Sequence, residues 1–297
     1  MHDDLTYHTC LSSTELDAQY NLRAARPDFE ETLVPDWTQR SETARNELQP
    51  ALDIRYGDGP KQRLDVFGNN GADAPVLIYI HGGYWHRGDK SMYSFLAKPY
   101  AAAGVNLVVA GYDLCPAVSL THICEEIRQA LAFTWKNATD LGLNRNRLTL
   151  MGHSAGGHLT QMMMATHWPS VAKGLPADLI KAGISISPIS YLEPVRLTEA
   201  LNIHIRLSEA EADSQSPMIQ HPPLTDAPQL VIVGGAETDE FHRQAHMYVN
   251  KYVTDARDIN LYVVPDVDHF DELNVLADSH SEFFGKTLAI LDGTMNQ

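Results

Sequence analysis

The stretch Met151-Gly-His-Ser-Ala-Gly-Gly-His-Leu159 decides how this chain is read. Ser154 stands between Gly152 and Gly156 at G-x-S-x-G spacing, directly after the apolar run RLTLM at 147–151. The residues from Ala155 to His167 have helical character. A strand that runs straight into a helix through such a turn pushes the serine hydroxyl clear of the sheet edge. Glycines at the flanking positions leave room where a side chain would strike the neighbouring strand or helix. The plainer alternative is a glycine-rich turn with no chemical role, and the surrounding sequence decides between the two.

Working outward, apolar runs alternate with amphipathic ones. LDIRYG (52–57) and RLDVFG (63–68) alternate apolar and polar residues and read as half-buried strands. PVLIYIHGG (75–83), NLVVAGYDL (106–114), RLTLM, AGISISPI (182–189), QLVIVGG (229–235) and NLYVVPD (260–266) are nearly continuous apolar runs, as expected of strands covered on both faces. Between them, helices are expected over 91–104, over 119–142 with apolar residues at helical period, over 240–254, and over 272–291. Residues 28–48 could hold one or two short helices. Alternating strands and helices predict an α/β fold with a mostly parallel eight-stranded sheet, an antiparallel edge from the first two strands, and helices on both faces. A single domain over 1–297 is expected, with the segment 1–50 and a Pro-rich insertion at 188–228 covering the carboxyl ends of the strands, where open α/β sheets place their sites.

Four features fall at those strand ends. A serine hydroxyl is a poor nucleophile at neutral pH and needs a base and oxyanion donors. HGGYW (81–85) supplies glycines that let the backbone turn and approach closely, so the N–H groups of Gly82, Gly83 and Tyr84, with Ala155 opposite, are the expected oxyanion hole. His81 is expected to brace that loop. His269, in VVPDVDHFDEL, follows the last strand and is the expected base. His153 and His158 lie on the elbow's own turn and helix, where approach to the serine is poor. The acid must follow QLVIVGG, in GGAETDEF. Glu237 is preferred, because it comes first after the glycines, with Asp239 and Glu240 as rivals.

Composition limits the partners. The chain has 38 acidic and 22 basic residues, a formal net charge of −16, which argues against nucleic acid or an anionic membrane surface. The three cysteines, Cys10, Cys115 and Cys124, have no metal spacing and fit a reducing compartment. Fourteen histidines occur without a metal-binding pattern, so no metal is expected. MHDDLTYHTC lacks the features of a signal peptide, and no apolar run reaches the length of a membrane span. A cytoplasmic protein acting on a small molecule is expected, with a homodimer left open.

HGGYW, GHSAGG, GGAETDEFHRQ and DHF, in that order, resemble α/β-hydrolases of the lipase/esterase type with an HGG motif, and within them the arylformamidase (kynurenine formamidase) branch. The segment LDAQYNLRAARPDF, tyrosine in place of the third glycine of HGGG, and EFHRQ after the acid carry the branch assignment. The resemblance places the acid on Glu237, although many members have aspartate there. It implies hydrolysis of N-formyl-L-kynurenine to kynurenine and formate without a cofactor. A general carboxylesterase acting on small acyl or aryl esters is the alternative, and a non-catalytic scaffold is a third. Tyr20, Trp37, Tyr84, Trp85 and Tyr191 could stack on an aryl substrate, and Arg23 or Arg206 could pair with a substrate carboxylate.

Overall fold

In the computed structural model, residues 5–68 and 70–293 are described. The two ends of the domain expected over 1–297, residues 1–4 and 294–297, lie outside them. Eight strands form one sheet: β1 (Ala51–Arg55), β2 (Arg63–Phe67), β3 (Val76–Ile80), β4 (Asn106–Ala110), β5 (Leu148–His153), β6 (Ala182–Ile186), β7 (Gln229–Gly234) and β8 (Ile259–Val264). Their order is β1-β2-β4-β3-β5-β6-β7-β8. Pairing is antiparallel for β1–β2 and β2–β4 and parallel from β4 through β8. This is the expected α/β-hydrolase arrangement.

The helices are α1 (Ser13–Tyr20), α2 (Leu22–Ala25), α3 (Phe29–Leu48), α4 (Ala97–Ala102), α5 (Leu120–Lys136), α6 (Ala155–Met164), α7 (Trp168–Val171), α8 (Glu193–Leu197), α9 (Glu199–Ile205), α10 (Glu209–Ser214), α11 (Pro217–Gln220), α12 (Asp239–Tyr252), α13 (Glu272–Leu276) and α14 (Glu282–Leu291). Period-two alternation sorts the buried strands onto two cores. Val76, Ile78 and Ile80 of β3 pack with α5, α6 and α12. Leu77 and Tyr79 of the same strand pack with α3, α4 and α14. Covering on both faces is why β3 and β4 read as continuous apolar runs.

Several local expectations are corrected. β1 is mostly exposed rather than half-buried, because it is the sheet edge and pairs only with β2. β2 buries its polar Asp65, which Lys90 Nζ approaches to 2.6 Å. The helix expected over 272–291 is two helices. Asp278 Oδ1 accepts from His280 N, and Ser281 Oγ caps the new start by accepting from Phe284 N. Residues 28–48 hold one helix of 20 residues, Phe29–Leu48, which follows Asp28 and carries Pro35 inside it. The region 91–104 starts as a 3-10 helix over Lys90–Leu96 before α4.

Lys90 also bonds Asp53 Oδ1 at 2.8 Å, so one ammonium ties the β1–β2 edge to the segment that follows HGGYW. Removing it leaves the Asp65 carboxylate buried without its cation. Lys90→Met is therefore expected to lower unfolding stability by about 3 kcal/mol in urea titration. A loss below about 0.5 kcal/mol would contradict this role.

Candidate active site

The elbow forms as read. β5 ends at His153, α6 begins at Ala155, and Ser154 between them adopts φ 57°, ψ −117°. This is a costly backbone conformation for a residue with a Cβ. Ser154 N donates to Ile186 O at 2.8 Å, which fastens the turn to β6. A Cβ on Gly156 would lie 2.0 Å from Ile80 O and 2.8 Å from His81 O, both backbone atoms of the neighbouring strand end. Only glycine lets α6 approach β3 this closely.

The HGGYW loop leaves the end of β3. Gly83 has φ +115°, and Tyr84 and Trp85 are also left-handed at 48° and 57°. His86 N and Arg87 N both donate to Gly83 O, closing the turn. Among the described residues, the N–H groups of Gly83, Tyr84 and Ala155 have no acceptor. They are free donors of the kind an oxyanion needs. His81 is fully buried and stacked on Tyr112 at 4.3 Å between ring centres. Its Nδ1 lies 2.8 Å from Gly82 O and must carry the hydrogen, because a carbonyl only accepts. Burial lowers its pKa to about 4, so it braces the loop as a neutral ring.

His269 follows β8. Its Nδ1 lies 3.0 Å from both carboxylate oxygens of Glu237, whose side chain is fully buried. Glu237 follows β7, as expected. The rivals are elsewhere. Asp239 is exposed in the first turn of α12, and Glu240 binds the Arg243 guanidinium and the Tyr20 hydroxyl. His158 faces Gln215 O at 2.8 Å, and His153 faces His269 O at 2.8 Å. Ser154, His269, Gly82, Gly83 and Tyr84 border one cavity of about 180 Å³.

The strand-end histidine, acid, serine and glycine loop thus converge. Residues 64–173 match the BD-FAE family model. The chain is 29% identical over 268 residues to kynurenine formamidase of Salmo salar, covering 88% of both chains. It is 27% identical to that of Danio rerio, covering 91% of this chain and 93% of the relative. A crystal structure from Silicibacter sp. TM1040, provisionally described as a thioesterase, superposes with a TM-score of 0.79 at 30% identity, over 94% of this chain and 99% of that one. The chain belongs to the α/β-hydrolases of the esterase and formamidase type.

In this hydrolase the cavity walls come from three places. Tyr20, Arg23, Phe29 and Trp37 approach from the N-terminal segment, Tyr84, His86 and Arg87 from the HGG loop, and Ala200 and Leu201 from α9. Tyr84 OH donates to Tyr20 O at 2.8 Å, joining the first two. Trp85 and Tyr191, named as stacking residues from sequence, do not border the cavity. Trp85 is fully buried in the core, and Tyr191 packs edge-on to His8. Arg206 ends α9 in a left-handed conformation and also lies off the cavity, whereas Arg23 borders it with its guanidinium 3.5 Å above the Phe29 ring. His86 is pushed down to about 4, first by burial and then by the Arg87, His204 and Arg23 charges.

Three residues escaped sequence reading. Arg26 Nη1 bonds Asp271 at 2.7 Å and also Asp268, pinning the His269 loop from the N-terminal segment. Ser187 and Glu272 lie behind Glu237. The RPDF stretch held the only sequence signal for any of them. His153, His269 and Glu272 also gather as potential metal ligands within 4.8 Å. His153 Nε2 and His269 Nδ1 already serve a carbonyl and a carboxylate, so the group is a hydrogen-bond network rather than an open coordination sphere.

Gly156→Ala is expected to cost about 3 kcal/mol or more and to abolish hydrolysis, since neither backbone neighbour can yield. A soluble, active Gly156→Ala protein with wild-type thermal stability would contradict the close approach.

Proposed function

We propose that Ser154, His269 and Glu237 act as nucleophile, base and acid in hydrolysing an aryl formamide, N-formyl-L-kynurenine, to L-kynurenine and formate. The observation that carries this reading is the similarity to kynurenine formamidases over 88% and 91% of this chain. The segment 1–50 and the insertion 188–228 serve as the site's cover, in a protein that forms one domain.

Ser154 Oγ attacks the formyl carbon while His269 Nε2 takes its proton. Glu237 holds the Nδ1–H tautomer and balances the imidazolium. The carbonyl oxygen, now negative, accepts from the N–H groups of Gly83, Tyr84 and Ala155, with Gly82 beside them. The C–N bond then breaks, and His269 returns the proton to the departing arylamine. Water attacks the formyl ester, giving its proton to His269. Formate leaves and Ser154 recovers its hydrogen. No cofactor takes part. The aryl ring fits an aromatic cavity, and Arg87, exposed at its rim, offers a cation to the amino-acid carboxylate.

The test compares kcat/KM on N-formyl-L-kynurenine and p-nitrophenyl acetate. The formamide is expected to be preferred by about 100-fold or more, roughly 3 kcal/mol. Arg87→Ala should raise KM for the formamide about tenfold while sparing the neutral ester. Turnover of the ester alone would replace this reading with a general carboxylesterase.

A further inference from the structure

Behind the His269–Glu237 pair lies a second carboxyl group that the proposed reaction does not use. Glu272, in the first turn of α13, is fully buried. Ser187 Oγ stands 2.9 Å from each of its carboxyl oxygens and also hydrogen-bonds Glu237. Ser187 itself sits at φ 43°, with its N–H donated to Ile232 O at 2.8 Å. A left-handed serine is a backbone cost that persists only where surrounding contacts enforce it.

Hydrogen counting constrains this group. One hydroxyl has one hydrogen, so Ser187 cannot donate to both carboxyl groups. Two ionised carboxylates around it would repel each other where water cannot screen them. His153 does not relieve this. Its Nε2 must carry a hydrogen for the His269 carbonyl, and it stands 3.4 Å from Glu272 Oε2. Burial and the neighbouring His269 ring keep His153 neutral. The remaining groups facing Glu272 are the Gly234 N–H, which favours its charge, and Asp268, which opposes it but is itself held by Arg26. Tyr79, also buried and facing the pair, offers no charge of its own because burial raises its pKa far up. Burial first, and the Glu237 charge second, push the Glu272 carboxyl well above the usual range.

We propose that Glu272 is a positioning residue held as the neutral acid: it donates to Ser187 Oγ, Ser187 donates to Glu237, and Glu237 remains the ionised carboxylate that faces His269. The hydrogen bonds then run in one sense toward the imidazole and fix the rotamer of Glu237. This rests on the triad reading above.

Glu272→Gln and Glu272→Ala test it, with Ser154→Ala as control and p-nitrophenyl acetate as substrate. A glutamine amide can donate to Ser187 and accept from Gly234 as the neutral acid does. Glu272→Gln is expected to keep kcat/KM within about threefold and to leave the acid limb of its pH profile in place, while Glu272→Ala lowers kcat about tenfold at unchanged KM. A second readout needs no activity. In the wild type the carboxyl stays protonated in the fold but ionises on unfolding above about pH 4.3. Wild-type stability therefore falls relative to Glu272→Gln as pH rises from about 5 to 8, so the Tm of Glu272→Gln minus that of the wild type rises over that range. A value of that signed difference that stays flat or falls with pH overturns the neutral acid. So does an acid limb moved down by about one unit in Glu272→Gln, which would report a lost negative charge. Wild-type kcat in a folded Glu272→Ala overturns the positioning role; if that variant does not fold, the two Glu272→Gln readouts decide. Activity surviving in Ser154→Ala would instead sink the triad reading, and the Tm readout would still judge the proton on Glu272.

Discussion

The left-handed backbone of Ser154 is the constraint around which this molecule is arranged. Such a conformation survives only when over-determined from several sides. Here β6 holds the serine N–H, α6 starts on its carbonyl side through His158 N, and β3 closes on Gly156. Each support comes from a different element, so the parallel order β3-β5-β6 at the sheet centre is itself a condition for the elbow. The reward is a hydroxyl at the start of a helix whose first N–H groups are unused, beside a glycine loop with free donors of its own.

Burial sets the second theme. The carboxyl groups of Glu237 and Glu272 both have no solvent exposure, and both lie against Ser187. A buried charge is tolerated when it is matched and hydrogen-bonded. Glu237 has the imidazole of His269, and Glu272 has no cation. That difference favours the charge on Glu237, and burial together with the Glu237 charge opposes one on Glu272. On the far side of the loop, Arg26 gathers Asp28, Asp268 and Asp271, so the N-terminal segment carries both a wall of the cavity and an anchor for the histidine.

Much of this was legible in the sequence because it follows from local pattern. Continuous apolar runs marked the doubly covered strands, and glycine spacing marked the elbow and the HGG loop. Chain order placed Glu237 and His269 after the strands that bring them together. What escaped reading depends on long-range contact. Nothing local distinguishes Asp65 from an exposed strand residue; its partner Lys90 is 25 positions away in the chain. Ser187 and Glu272 are 85 positions apart and carry no motif. Trp85 and Tyr191 were credited with reaching the substrate because aromatic side chains suit both core and cavity. Only packing separates the two uses: Trp85 turned inward against His158, while Tyr20, Trp37 and Tyr84 border the opening. The short helices α8–α11 had no apolar period long enough to read.

The most direct measurement for the account is covalent labelling with a serine-directed organophosphorus probe, followed by mass-spectrometric mapping of the modified residue. The account requires one equivalent on Ser154, formed in step with loss of activity, and little or no labelling in His269→Ala. Activity lost through a label on another residue, or an active protein that the probe leaves unmodified at Ser154, would contradict it.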